Sequence, residues 1–271
     1  MKQGLLILGL CIAALAAACR HVPNDTVKGK GSAGEERARL LQEAEAAWEK
    51  QPRSLESVQE SVTKFGKALE QKADEYETLW HAARSCSWLG EFMESREARR
   101  PIIKDGIRYT NTALKLKPEG IEGRFYHGVL AGMLGDVDHD YGLNAAKTVD
   151  EDMRKLADAG ADVGNAGPWR VLGVLQMRAP GPPTSVGSLR NAHKNLLAAV
   201  EKAPQWPENQ LYCAEMEFAW AKEKDQPESA QSARDRLQQH LLGPEAKAPQ
   251  GFSFEFARWQ QTARELLKAN P

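Results

Sequence analysis

Residues 167–215 read GPWRVLGVLQMRAPGPPTSVGSLRNAHKNLLAAVEKAPQWPENQLYCAE, and their spacing decides the fold. Trp169 is followed at three and four residues by Leu172 and Gly173, and further on Ala192, Leu196 and Ala199 recur at spacings of four and three before Pro204. Both runs have the period of an amphipathic helix, on which side chains three or four apart share a face. A glycine on the first helix lets the second approach closely, the large residues fill the layer between them, and a proline ends the second helix. The stretch is therefore one helical hairpin, drawn out by about seven residues relative to a repeat of roughly 34. The extra length holds PGPPTS, Pro180–Ser185, which forms a stiff loop suited either to stopping a helix or to touching a partner.

The same frame extends in both directions. Gly106, Ala113 and Pro118 repeat the second-helix pattern upstream, and Gly128 stands where the next small first-helix residue is due; after Pro204, Ala214 takes that place. Leu41, Ala44 and Trp48, then Leu55, Val58, Val62, Phe65 and Leu69, make the stripes of a further hairpin near residues 38–70. Phe252, Phe256, Trp259, Ala263 and Leu266 mark a last helix near 252–268, expected to cap the open end. Alternating runs of the kind a strand needs are missing. The expected fold is all-α, with antiparallel helix hairpins stacked as a tetratricopeptide-like right-handed solenoid over residues 37–271.

The beginning of the chain has a different character. Lys2, an apolar run from Leu5 to Leu15 and the small residues Ala16, Ala17 and Ala18 divide as an export signal does, over residues 1–18. The run is too short for a membrane span, which needs about 20 apolar residues. Cys19 after three alanines resembles the bacterial lipobox, in which the thiol is acylated and becomes the first mature residue, with Ala16 in place of the usual leucine. Acyl chains at Cys19 would supply the membrane anchor, whereas cleavage by ordinary signal peptidase would leave a secreted chain. Arg20 at the next position leans towards the outer membrane, facing the periplasm. Residues 19–36 are polar and glycine-rich and read as a tether, whose GKGSAG lacks the spacing of a phosphate loop.

Removing Lys2 with the signal leaves 35 basic against 37 acidic residues, which calls for no nucleic acid as partner. Cys86 and Cys213 remain after Cys11 and Cys19 are accounted for. Both fall on apolar helical faces, where a cysteine acts as a small hydrophobe, although in an oxidising compartment the two could pair.

Residues 167–215, together with IIKDGIRYTNTALKLKPEG at 102–120, resemble the T component of tripartite ATP-independent periplasmic (TRAP) transporter systems, a family of lipoproteins built from cryptic tetratricopeptide-like hairpins. The resemblance covers about residues 75–240, and Pro101 departs from it. It implies a homotrimer that pairs with the periplasmic solute-binding protein of a transporter for organic acids or other hydrophobic ligands.

A catalytic reading finds little to stand on. HExxH, G-x-S-x-G, C-x-x-C and the dinucleotide glycine fingerprint are all missing, and the histidines at 21, 81, 127, 139, 193 and 240 are scattered. Asp136, Asp138 and Asp140 alternate as calcium ligands do, but Tyr141 and Lys147 stand where an EF-hand needs glycine and glutamate. No enzyme, metal or cofactor is expected. The expected binding surface is the groove lined by the first helix of each hairpin: His81, Trp88, Phe125, Arg170, Met177, Arg178, Leu211, Glu215 and Phe218. Aromatics mixed with two arginines suit a peptide or an amphipathic carboxylate, and Arg170 and Arg178 are the expected ligand contacts. The sequence thus points to a lipid-anchored scaffold for a protein partner, with an outer-membrane pilotin or an assembly factor for a pilus, secretin or surface machine as the rival reading.

Overall fold

The computed structural model describes residues 33–271, so the signal segment, Cys19 and most of the tether lie outside the described residues. Eleven α-helices follow one another among the described residues: α1 Ala33–Glu49, α2 Leu55–Gln71, α3 Tyr76–Phe92, α4 Arg96–Leu116, α5 Ile121–Val137, α6 Gly142–Asp158, α7 Gly167–Arg178, α8 Leu189–Lys202, α9 Pro207–Lys224, α10 Pro227–Leu237 and α11 Ser253–Ala269. They pack in successive pairs as five stacked hairpins followed by a single helix. None is long and apolar enough to cross a membrane.

Local chemistry sets the boundaries. Ser54, Ser95 and Ser188 cap α2, α4 and α8, each side chain accepting a hydrogen bond from a backbone N–H of the first turn. Pro168, Pro207 and Pro227 open α7, α9 and α10, where the missing N–H has no intrahelical partner to lose. Pro101 lies inside α4, which nevertheless runs on to Leu116. The first helix starts at Ala33, four residues inside what reads as tether, because Ala33–Glu36 continue the helix that Leu40 and Ala44 bury.

The small-residue frame marks the close contacts between helices. A Cβ on Gly173 would stand 2.4 Å from Leu196 Cγ on the paired helix, and one on Gly128 2.4 Å from Met153 Cε. Gly106 faces Leu130 and Cys86 in the same way, and Ala214 is fully buried. Cys86 packs with Ile103 and Leu130, Cys213 with Leu196 and Met216; both are free, and burial pushes both thiols far above the ordinary range. They act as buried hydrophobes and form no disulfide.

The end of the chain does more than cap. Phe256, Trp259 and Ala263 of α11 bury against Leu211 and Phe218 of α9 and against Leu241 in the π turn that extends α10. The first turn of α11 also crosses to the first two hairpins, where Phe254 meets Trp88 and Phe92 and Glu255 pairs with Arg53, 202 residues away. The array is thereby closed on itself.

Candidate functional site

The first helices of the hairpins carry the expected groove residues, and the structure divides these into two sets. Trp88, Phe125, Arg170, Leu211 and Phe218 are buried; His81, Met177, Arg178 and Glu215 keep contact with solvent. Phe125 fills the layer between α5, α6 and α7 with Met153, Leu156 and Leu172, and its ring lies where a side chain on Gly164 or Gly167 would have to go. Leu211 and Phe218 form the floor on which α11 packs. Met177 borders the cluster around Leu196 and Met216.

The two arginines part company. Arg170 is 8 % exposed and both ends of its guanidinium are engaged from within: Nη1 donates to Asn209 Oδ1 at 2.8 Å and to the carbonyls of Gly164 and Asn165 at 3.0 and 3.2 Å, and Nη2 pairs with Glu208 at 3.1 Å. Those carbonyls belong to a tight turn in which Gly164, Asn165 and Ala166 all have φ between +53° and +62°, a conformation that L residues hold only when surroundings enforce it. The expectation that Arg170 awaits a ligand is corrected: its charge stitches the turn before α7 to the start of α9. Arg178 is open, pairs through Nη2 with both oxygens of Glu215 at 2.8 and 3.0 Å, and lies over Tyr212.

His81 faces Glu45, which also accepts from Arg84 at 2.9 Å. Burial works to raise the Glu45 carboxyl, and the hydrogen bonds and charges of His81 and Arg84 outweigh it, holding it below the usual carboxylate range. The guanidinium groups of Arg53 and Arg84 both lie over the Trp48 ring, at 4.3 and 4.2 Å from its centre. Trp88 donates through Nε1 to Glu255 at 2.8 Å. Glu91, one turn on, is exposed and without a hydrogen bond or ion pair among the described residues. Although the side chain meets solvent, withdrawal of water by the protein around it and then the charge of Glu208, against Arg170, push its carboxyl up to about 8; Glu255 and Arg99 add smaller opposed effects.

Sequence reading placed Trp48 on an apolar stripe and gave no site role to it or to Arg53, Glu91, Phe254 and Glu255. Arg53 lies in a connection and Glu255 on the last helix, so no spacing pairs them.

Elsewhere, His127 and Asp152 lie 2.6 Å apart, half of the set that activates a nucleophile. Asp152 is also held by Arg124 at 2.8 Å, and no hydroxyl or thiol bonds to His127 among the described residues, so the trio serves to tie α5 to α6. Asp138 is engaged by Arg100 and Lys104. No cluster of three or more potential metal ligands occurs among the described residues.

No protein-family model matches the chain, and no curated protein matches it significantly. Solved structures do. A thermophilic TPR protein of Thermus thermophilus is 13 % identical, with a TM-score of 0.57 over 84 % of this chain and 99 % of that one. The MamA protein is 12 % identical, with a TM-score of 0.52 over 80 % of this chain and 100 % of its own. At such identities the likeness is one of fold, and it is the fold of stacked tetratricopeptide hairpins.

Proposed function

We propose that this chain is a non-enzymatic scaffold of the bacterial cell envelope, anchored by a lipid on Cys19 at the outer membrane and facing the periplasm. As the T component of a TRAP-type uptake system it docks a solute-binding protein. The hairpin array over residues 33–271 carries this reading, because stacked hairpins present a long surface to another protein, and no motif for chemistry accompanies them here. The resemblance of residues 75–240 to the T component supports the choice of partner, and the lipobox-like Ala16–Cys19 supports the anchor.

The docking face uses the groove positions that stay open, His81, Met177, Arg178 and Glu215, together with the loop that follows Arg178 in the chain, exposed over 180–184. Crosslinking in intact cells tests the reading. A captured solute-binding protein, lost in Arg178→Ala while the chain stays folded, is the expected result; an outer-membrane ring as the main product would make the chain a pilotin and overturn it. Labelled palmitate should enter the protein and be absent from Cys19→Ala. Light scattering is expected to give three copies per particle, and a strict monomer would remove the trimer.

A further inference from the structure

The inner face of the closed array pairs its charges almost completely and leaves one acid over. On α3, Arg84, Trp88 and Glu91 follow one another at four and three residues, and on α9 Glu208, Tyr212 and Glu215 do the same, so each set shares one face of its helix. The two helices are not packed neighbours: α3 rests on α2, α4 and α5, and α9 on α7, α8, α10 and α11. A chain of contacts nevertheless joins their faces. Trp88 donates to Glu255, Glu255 pairs with Arg53, Arg53 lies over the Phe252 ring, Phe252 meets Trp206 at 4.8 Å, and Trp206 Nε1 donates to Glu208 at 3.3 Å. Glu91 stands one turn beyond Trp88 and Tyr212 one turn beyond Glu208, and the Glu91 charge reaches the Tyr212 phenol across the interior.

The arginines of this face are already matched. Arg84 pairs with Glu45, Arg53 with Glu255, Arg170 with Glu208 and Arg178 with Glu215. Arg99 gives its Nε to the Gly90 carbonyl and acts on Glu91 more weakly than Glu208, Arg170 or Glu255 does. Glu91, in contrast, is exposed with no hydrogen bond or ion pair, and the hydroxyl of the half-buried Tyr212 has no hydrogen bond, among the described residues. Glu255, whose charge also reaches Glu91, is 3 % exposed and keeps its Oε2 without a hydrogen-bond partner, so negative charge is under-compensated here even where it is paired. An organic acid entering this space has to take an arginine from its resident carboxylate. A cation meets an acid that has no partner to lose.

We propose that the space between Glu91 and Tyr212 is a binding site for a small organic ammonium ion, whose N–H groups donate to the Glu91 carboxylate and the Tyr212 hydroxyl while its alkyl part lies against the Tyr212 ring. Arg178 covers Tyr212 on one side and is neutralised there by Glu215. A bare calcium or magnesium ion suits the place less, since it takes about six or more oxygens, and no cluster of three potential ligands occurs among the described residues. Burial and the charge of Glu208 favour the neutral form of Glu91 in the free chain, so the ammonium competes with a proton for the carboxylate and binds more tightly as pH rises. The inference goes beyond the scaffold reading and does not depend on it.

The test is calorimetric titration of the full chain at pH 8 with butylammonium chloride, compared with sodium chloride and sodium butyrate at equal ionic strength. Butylammonium should saturate one site with a Kd below about 1 mM, and neither sodium nor butyrate should give saturable heat. Glu91→Gln should weaken butylammonium by about tenfold or more, and Tyr212→Phe, which keeps the ring, by about threefold. The unaltered chain supplies a second readout should a variant fail to fold: its affinity should rise by about tenfold or more between pH 6 and pH 8. The proposal is overturned by the lack of saturable butylammonium binding, by binding that a folded Glu91→Gln chain retains in full, by a flat pH profile, or by preferential uptake of butyrate. Arg178→Ala separates this site from the docking face, because it should lose the captured solute-binding protein and still bind butylammonium.

Discussion

The hairpin at 167–215 and the seam between Arg53 and Glu255 are both interhelical contacts, yet they are built on opposite logics. In the hairpin, Gly173 and Leu196 touch across a single connecting loop, and the contact is apolar, closely packed and repeated in kind at Gly128 and Met153. At the seam the partners are 202 residues apart, aromatic and charged, and one carboxylate oxygen is left without a partner. Each hairpin buries its apolar surface with a sequence neighbour, so most of the stability is local and repeated. The seam adds closure to an array whose other contacts are between neighbouring helices.

That contrast can be broken most directly in the hairpin. Leu196→Ala should lower stability by about 3 kcal/mol in urea unfolding, since it empties a fully buried site. Gly173→Ala should cost about 2 kcal/mol by forcing its Cβ against Leu196. Combined, the two should cost clearly less than their sum, because the smaller side chain makes room for the added methyl. Strict additivity would mean that the helices do not meet at Gly173.

Next in size are the two arginines that the sequence grouped together. Arg170→Met removes the guanidinium that joins the carbonyls of Gly164 and Asn165 to Asn209 and Glu208 of α9, leaving the bond from Asn209 Nδ2 to the Asn165 carbonyl in place and the mostly buried Glu208 without its cation, so about 2–3 kcal/mol should be lost. Arg178→Ala breaks a solvent-exposed pair and should cost less than about 0.5 kcal/mol. Equal losses in thermal melts would remove the distinction between a structural and a surface arginine.

These residues also show how much was legible. The helical period, the glycine frame and the cap at Phe256–Ala263 could be read because a hairpin contact is set by side chains three, four or about twenty residues apart. Exposure could not be read in the same way. Trp88, Phe125 and Arg170 share first-helix register with His81 and Arg178, and what buries them comes from elsewhere: α11 over Trp88, the 164–166 turn over Phe125 and Arg170. Periodicity ranks the faces of a helix but carries no information on the partner that a distant segment brings.

The seam itself should respond locally. Glu255→Gln takes the counter-charge from Arg53 but keeps an amide oxygen to which the guanidinium and the Trp88 indole can donate, so the global loss should be only about 1 kcal/mol. Hydrogen exchange should quicken at residues 252–256 and around Arg53 while the amides of α7 and α8 keep their protection. A uniform rise in exchange would show that the seam is as integral to the fold as the hairpins are.

The smallest effect is expected beside the seam, in the pH dependence set by Glu91. Its folded-state affinity for the proton is raised, to about 8, so the fold favours the neutral acid over the carboxylate. An unfolded glutamate titrates near 4.3. Over the interval between these values the folded chain binds more protons than the unfolded one, and linkage then makes stability fall as pH rises through it. Below that window the group contributes no difference; above it the full penalty persists. Because Glu91 retains solvent contact, screening keeps the penalty small. Glu91→Gln should match the wild type in melting temperature near pH 4 and exceed it by a degree or two at pH 8. The same substitution should steady the seam, since the carboxylate that forms at high pH lies within reach of the Glu255 and Glu208 charges and of Arg170 and Arg99. If the wild-type melting temperature rises between pH 5 and 8 in step with the variant, Glu91 is ionised in the folded protein and the crowding at the seam is weaker than its geometry implies.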